Sequence, residues 1–148
     1  MKLQKASSFA LYAVLELAAY PDQPLSGTEI ADKYGISAHH LAKVLRDLGR
    51  AGIVEAARGV NGGYRLAANP KRLTLFDIIQ IFEPIRGRNV VSHLRTATDA
   101  ERALQAVLDE LDDHTLATFR SITISTMLKW MARGSWTSTA ARRAAAQR

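Results

Sequence analysis

Residues 53–67, "IVEAARGVNGGYRLA", constrain this chain more than any other stretch. "IVEAA" is β-prone and carries one charge. "YRLA" alternates Tyr64 and Leu66 with Arg65. Between them lie three glycines and one asparagine. The pattern predicts a β-hairpin with strands over 53–57 and 64–67 and a tip almost without side chains. A loop that cradles nucleotide phosphates needs a strand before its glycines and a helix after them. Here a second strand follows, so that reading falls.

What such a hairpin does depends on what precedes it. A first helix is predicted over 7–20, with apolar residues at 11, 14, 15 and 18. "PDQP" at 21–24 ends it. Ser26 and Glu29 then have the spacing of a capping box, with Leu25 and Ile30 at the staple positions, so a second helix starts there. Gly35 supplies the left-handed residue that stops it. Ser37 caps a third helix over 37–50, whose Leu41, Val44, Leu45 and Leu48 form one apolar face. The other side carries His39, His40, Lys43, Arg46 and Arg50. Two readings stand at this point: a helix-turn-helix, or a generic helical hairpin whose charges are a solvated face.

The hairpin decides between them, because a helix-turn-helix followed directly by a hairpin is a winged helix. Its root carries Arg58, an arginine suited to a narrow minor groove. Asn61, Gly62 and Gly63 let the backbone approach DNA closely. His39, His40 and Lys43 occupy the first turns of the third helix, where such helices meet base edges. Arg46, Lys2 and Lys5 are expected at phosphates, the two lysines ahead of the first helix. Ser37 turns a helix N-terminus toward a phosphate, although its cap role alone explains it. Tyr64 reads as a packing residue of the wing, with Arg65 on the opposite side.

Downstream, Thr74 and Asp77 form another capping box, and "LFDIIQIF" is apolar nearly all round. Residues 84–98 lack helical periodicity. Thr98 and Glu101 box the start of a helix of more than twenty residues. Its stripe of Leu104, Val107, Leu108 and Leu111, continued by Leu116 and Phe119, is expected to pair with a second copy of the chain. A short capped helix, "SITISTMLKWM", follows it.

Charge agrees with an anionic partner. The chain has 148 residues, 47% of them hydrophobic, and a net charge of +6. Residues 1–73 carry 10 Lys and Arg against 6 Asp and Glu, whereas residues 74–133 carry 7 against 8. The basic front half is the half with the winged-helix pattern. "FALYAVLEL" at 9–17 is too short to span a bilayer and is interrupted by Glu16, so no membrane association is expected and the chain reads as cytoplasmic.

The sequence therefore predicts a mainly α chain with a small β-hairpin: a winged helix-turn-helix domain plus a long C-terminal dimerisation helix. The DNA-binding domain covers 1–83, a connector 84–98, and the dimerisation helix with its short final helix 99–131. A basic tail over 132–148 is expected to be disordered.

Four stretches, "MKLQKASSFALYAVLELA", "IADKYGIS", "LGRAGIVEAARGVNGGYRLA" and "LTLFDIIQIFEPI", resemble the bacterial winged-helix regulators of the IscR, NsrR and CymR family, the Rrf-two family. The resemblance covers residues 1 to about 130. It implies a homodimer on an imperfect inverted repeat, the helix 37–50 in the major groove and the wing 58–64 at the minor groove. Cluster-binding members of that family use three cysteines in the connector. This chain has no cysteine, so no iron–sulfur cofactor is expected. The resemblance then implies regulation by a small-molecule effector, by a partner protein, or by nothing, and the sequence does not identify which. His39 and His40 are adjacent and diverge by about 100° on a helix; His93 and His114 are scattered. No metal site and no enzymatic constellation follow from them. The expected function is a sequence-specific transcriptional regulator acting as a repressor. The alternative is a winged-helix adaptor that works through a partner protein with weak or lost DNA binding.

Overall fold

The structure, a computed structural model, describes residues 1–85 and 96–134. It contains α1 (Lys5–Ala19), α2 (Gly27–Tyr34), α3 (Ala38–Arg50), β1 (Val54–Ala57), β2 (Gly63–Leu66), α4 (Leu75–Phe82), α5 (Asp99–Ser121) and α6 (Ile124–Arg133). Helix starts follow the local signals. Ser26 with Glu29, Thr74 with Asp77 and Thr98 with Glu101 all form complete capping boxes. Between α2 and α3, Gly35 sits at φ 62 and its amide donates back to Ala31 and Asp32, which makes the tight turn of the helix-turn-helix.

The start of α1 differs from expectation. α1 begins at Lys5, two residues early, so Lys5 lies inside the helix rather than ahead of it. Gln4 makes no side-chain cap there. Its carbonyl accepts from Ser8 at 3.1 Å, and its amide donates to Glu83 Oε2 at 2.8 Å. A contact 79 residues away fixes this start, and no local pattern announces it.

A single core joins the helices. Ala10, Val14 and Leu17 of α1 meet Ile30 of α2, Leu41, Leu45 and Leu48 of α3, and Ile78 and Ile79 of α4. Truncating one such leucine to alanine removes about 2–5 kcal/mol. α6 also belongs to this core. Ile124 is fully buried, and α6 packs back on α1. A bridge between Thr74 and Thr123 holds the starts of α4 and α6 together, through Leu75 N to Ile122 O at 3.0 Å and Ile124 N to Leu73 O at 2.9 Å. α6 extends to Arg133, two residues into the segment assigned to the tail, and ends at Gly134. Most of the connector, including His93, and the tail beyond Gly134 lie outside the described residues.

The hairpin is antiparallel, pairing Val54 with Leu66, Glu55 with Arg65, Ala56 with Tyr64 and Ala57 with Gly63. Leu25, just ahead of α2, adds a third short edge. It exchanges two backbone hydrogen bonds with Tyr64, Leu25 N to Tyr64 O at 3.0 Å and Tyr64 N to Leu25 O at 2.7 Å. The wing is thus fastened to the start of the helix-turn-helix. No helix among the described residues is long and apolar enough to cross a membrane.

Candidate nucleic-acid interface

α3 separates its two faces cleanly. Leu41, Val44, Leu45 and Leu48 are buried. His39, Lys43, Arg46 and Arg50 are exposed. At about 100° per residue, His39 and Lys43 stand one turn apart, nearly opposite the buried face. Their basic surface is therefore forced outward by the packing of the leucines. Ser37 Oγ accepts from the His40 amide at 3.2 Å, so its hydroxyl is engaged as a cap. The Arg50–Asp47 pair at 3.9 Å is exposed and contributes little.

His40 is placed differently from His39 and Lys43. A quarter-turn separates it from the buried face, on the flank of α3. Its ring meets Phe9 of α1 edge-on, with centroids 5.1 Å apart and planes at 84°. The expectation that residues 39, 40 and 43 share one side therefore needs correcting: all three are exposed, but His40 belongs to the seam between α1 and α3. Lys5 lies on α1 one turn before Phe9, and Lys2 precedes the helix; both are exposed.

In the wing, Arg58 and Asn61 are exposed. So is Val60, which no sequence signal singled out; it stands fully in solvent at the tip. Gly62 and Gly63 have a structural reason to be glycine. A Cβ on Gly62 would lie 2.7 Å from the Ala57 carbonyl oxygen, and one on Gly63 would fall on the Leu25 carbonyl. The hairpin's own backbone, together with Leu25, requires both. Tyr64 packs against the core, as expected. Arg65 has its Nε buried without a hydrogen bond among the described residues.

The apolar stripe of α5 divides in two. Leu104, Val107 and Leu111 are 60%, 55% and 56% exposed, and Leu108 is half-buried. Leu116, at 5% exposure, is in this chain's own core, and Phe119 packs against it. The Arg120 guanidinium sits 4.5 Å over the Phe76 ring of α4. The C-terminal half of α5 is therefore spent within the chain, which removes Leu116 and Phe119 from the stripe left open.

A second set of side chains went unread in the sequence. Glu16 is 6% exposed. It accepts from the Tyr34 hydroxyl at 2.5 Å and pairs with Lys33 Nζ at 2.7 Å. Tyr34 stacks on Tyr12, with centroids 4.9 Å apart. Burial, and then the hydrogen bond to Glu16, push the Tyr34 phenol well above its ordinary value. The hydrogen bond to Glu16 likewise raises Lys33. This cluster holds α2 against α1.

Residues 3–129 match the model of the Rrf2 family, described as "Iron-dependent Transcriptional regulator". The chain belongs to the Rrf2 family of transcriptional regulators. It is 50% identical over 129 residues to BadM of Rhodopseudomonas palustris, named as an HTH-type transcriptional regulator, covering 87% of this chain and 82% of that one. Among solved structures it is similar to CymR (YrzC), the global cysteine regulator of B. subtilis, with a TM-score of 0.75 and 29% identity, over 88% of this chain and 98% of that one. It shares its fold with T. potens IscR, with a TM-score of 0.70 and 24% identity, over 93% of each chain. The family and its named relative are transcriptional regulators.

The donor set does not fit a thiolate-held iron–sulfur cluster, because none of the 148 residues is a cysteine. Among the described residues, no three of His, Asp and Glu are grouped to hold a metal ion. Among the described residues, His114 pairs with Glu110, 3.7 Å away on the same exposed helix face.

Proposed function

We propose that this Rrf2-family chain is a homodimeric, sequence-specific DNA-binding repressor that works without an iron–sulfur cluster on an inverted-repeat operator. The carrying observation is the outward basic face of α3, set opposite a fully buried apolar face and flanked by a wing tied to α2. In this reading α3 enters the major groove, with His39, His40 and Lys43 at base edges. Arg46, Lys2 and Lys5 meet phosphates. Arg58 and the wing tip reach the minor groove.

The second copy sits on α5. The helix spans about 34 Å at 1.5 Å per residue. Its open Leu104, Val107 and Leu111 follow spacings of three and four, as in a helix–helix seam. A two-fold pair would place two α3 helices on successive half-sites. An electrophoretic shift on DNA upstream of the protein's own gene, with random competitor duplex present, tests the reading. A shift that competitor abolishes at equal mass would reduce the protein to a non-specific binder. No shift at all would favour an adaptor acting through a partner protein.

A further inference from the structure

Phe9, Tyr12 and Glu16 follow one another along α1 at spacings of three and four, so they share a face. Each meets the helix-turn-helix. Phe9 touches His40 of α3, Tyr12 stacks on Tyr34 of α2, and Glu16 holds Tyr34 and Lys33. The Phe9–His40 contact is the one that bears on recognition. His40 is at the third position of α3, and its own amide is committed to the Ser37 cap. Its backbone is therefore fixed, and only the side-chain torsions remain free to aim the imidazole. The Phe9 ring, half-buried and packed against the core, is a rigid wall beside it. An edge-to-face pair favours one relative orientation of the two rings. A histidine whose ring is aimed presents a defined donor and acceptor to a base edge; one that swings does not.

We propose that Phe9 is a positioning residue for base recognition: it fixes the His40 imidazole, so that α1 sets part of the DNA sequence preference. This rests on the DNA-reading function above. The test compares binding profiles of the full chain over a randomised half-site for wild type, Phe9→Leu, Phe9→Tyr, His40→Ala and the Phe9→Leu/His40→Ala double variant. Leucine keeps apolar burial and removes the ring; tyrosine keeps the ring. Phe9→Leu should lower discrimination at one base pair of each half-site by about threefold to tenfold, the range that a lost ring pair supplies, with affinity for random duplex unchanged. His40→Ala should relax the same position, the double variant should go no further, and Phe9→Tyr should restore the wild-type profile. A Phe9→Leu profile identical in shape to wild type would overturn the proposal, even if its melting temperature fell. So would losses at different positions for the two single variants. A wild-type protein with no sequence preference would instead bring down the DNA-reading function itself, and the role of Phe9 with it.

Discussion

Leu25 and Tyr64 exchange both of their backbone hydrogen bonds, so the second strand of the wing is bonded to the residue that leads into α2. Gly63 lies against this junction, where a Cβ would strike the Leu25 carbonyl. Gly63→Ala is therefore expected to destabilise the protein by about 1–3 kcal/mol through forced backbone displacement. Thermal melting without DNA checks this. An unchanged melting temperature combined with weaker DNA binding would return Gly63 to the role of a simple DNA-approach residue.

Ser7 gives the opposite expectation. It is fully buried on the core face of α1, and its hydroxyl has no hydrogen-bond partner among the described residues. A buried unpaired hydroxyl opposes folding by about 1–3 kcal/mol on protein mutational scales. Ser7→Ala should leave stability equal or raise it by up to about 1 kcal/mol. Chemical denaturation measures it, and a clear loss would reveal a partner for the hydroxyl.

Helix starts could be read from the sequence because their signals are local: Ser26 with Glu29, Thr74 with Asp77 and Thr98 with Glu101 each act within four residues. The winged helix followed from the same kind of information, since Gly35, the leucines of α3 and the hairpin glycines are neighbours in the chain. What escaped depends on distant partners. The start of α1 is pinned by Glu83, and the glycine at 63 is required by Leu25. Glu16 reads in the sequence only as an interruption of an apolar run, whereas the fold buries it against Tyr34 and Lys33. Periodicity shows that α1 has faces; it does not say which face meets α3, so the contact of His40 with Phe9 could not be foreseen. The α5 stripe illustrates the same limit. Leu104 and Leu116 look alike in sequence, and only α4 packing separates the open half from the buried one.

The Glu16–Tyr34–Lys33 cluster implies a pH dependence. The folded state holds the Tyr34 proton more tightly than the unfolded chain, whose tyrosine titrates near 10.0. The corresponding stability is complete below that pH and is lost as pH rises above it. The raised Lys33 acts in the same direction, above its ordinary 10.5. Melting temperature should therefore fall steeply between about pH 10 and the alkaline limit of the fold. Tyr34→Phe should melt lower at pH 8, because Glu16 loses a donor, but show a shallower alkaline decline. Parallel slopes for the two proteins would show that Tyr34 does not carry the effect.

For α5, the open half of the stripe sets the variant to make. Leu104→Asp with Leu111→Asp should give a folded monomer, because both side chains are more than half exposed in the single chain. Leu116→Asp should instead unfold the protein, since that side chain is in the core. Sedimentation and circular dichroism separate the two results. A Leu104→Asp/Leu111→Asp protein that sediments as wild type would place the contact between copies elsewhere.

Base preference and general affinity should separate along the α3 surface. Lys43 is exposed one turn from His39, on the side opposite Leu41, Val44 and Leu48. Packing of those three residues leaves Lys43 no direction but outward, into a major groove if α3 docks there. A lysine at guanine O6 and N7 distinguishes that base from others by about 1–3 kcal/mol. Lys43→Ala should therefore relax one position in each half-site by that amount. Lys2 lies ahead of α1 and Lys5 in its first turn, so neither belongs to α3. Their alanine variants should weaken every duplex alike and reduce the slope of log affinity against log salt by about one for each phosphate no longer neutralised. Binding profiles over a randomised half-site, repeated at several salt concentrations, measure both quantities at once. If Lys43→Ala lowered all sequences equally while Lys2→Ala changed the base preference, α3 would not be the reading helix, and the N-terminal turn of α1 would take its place.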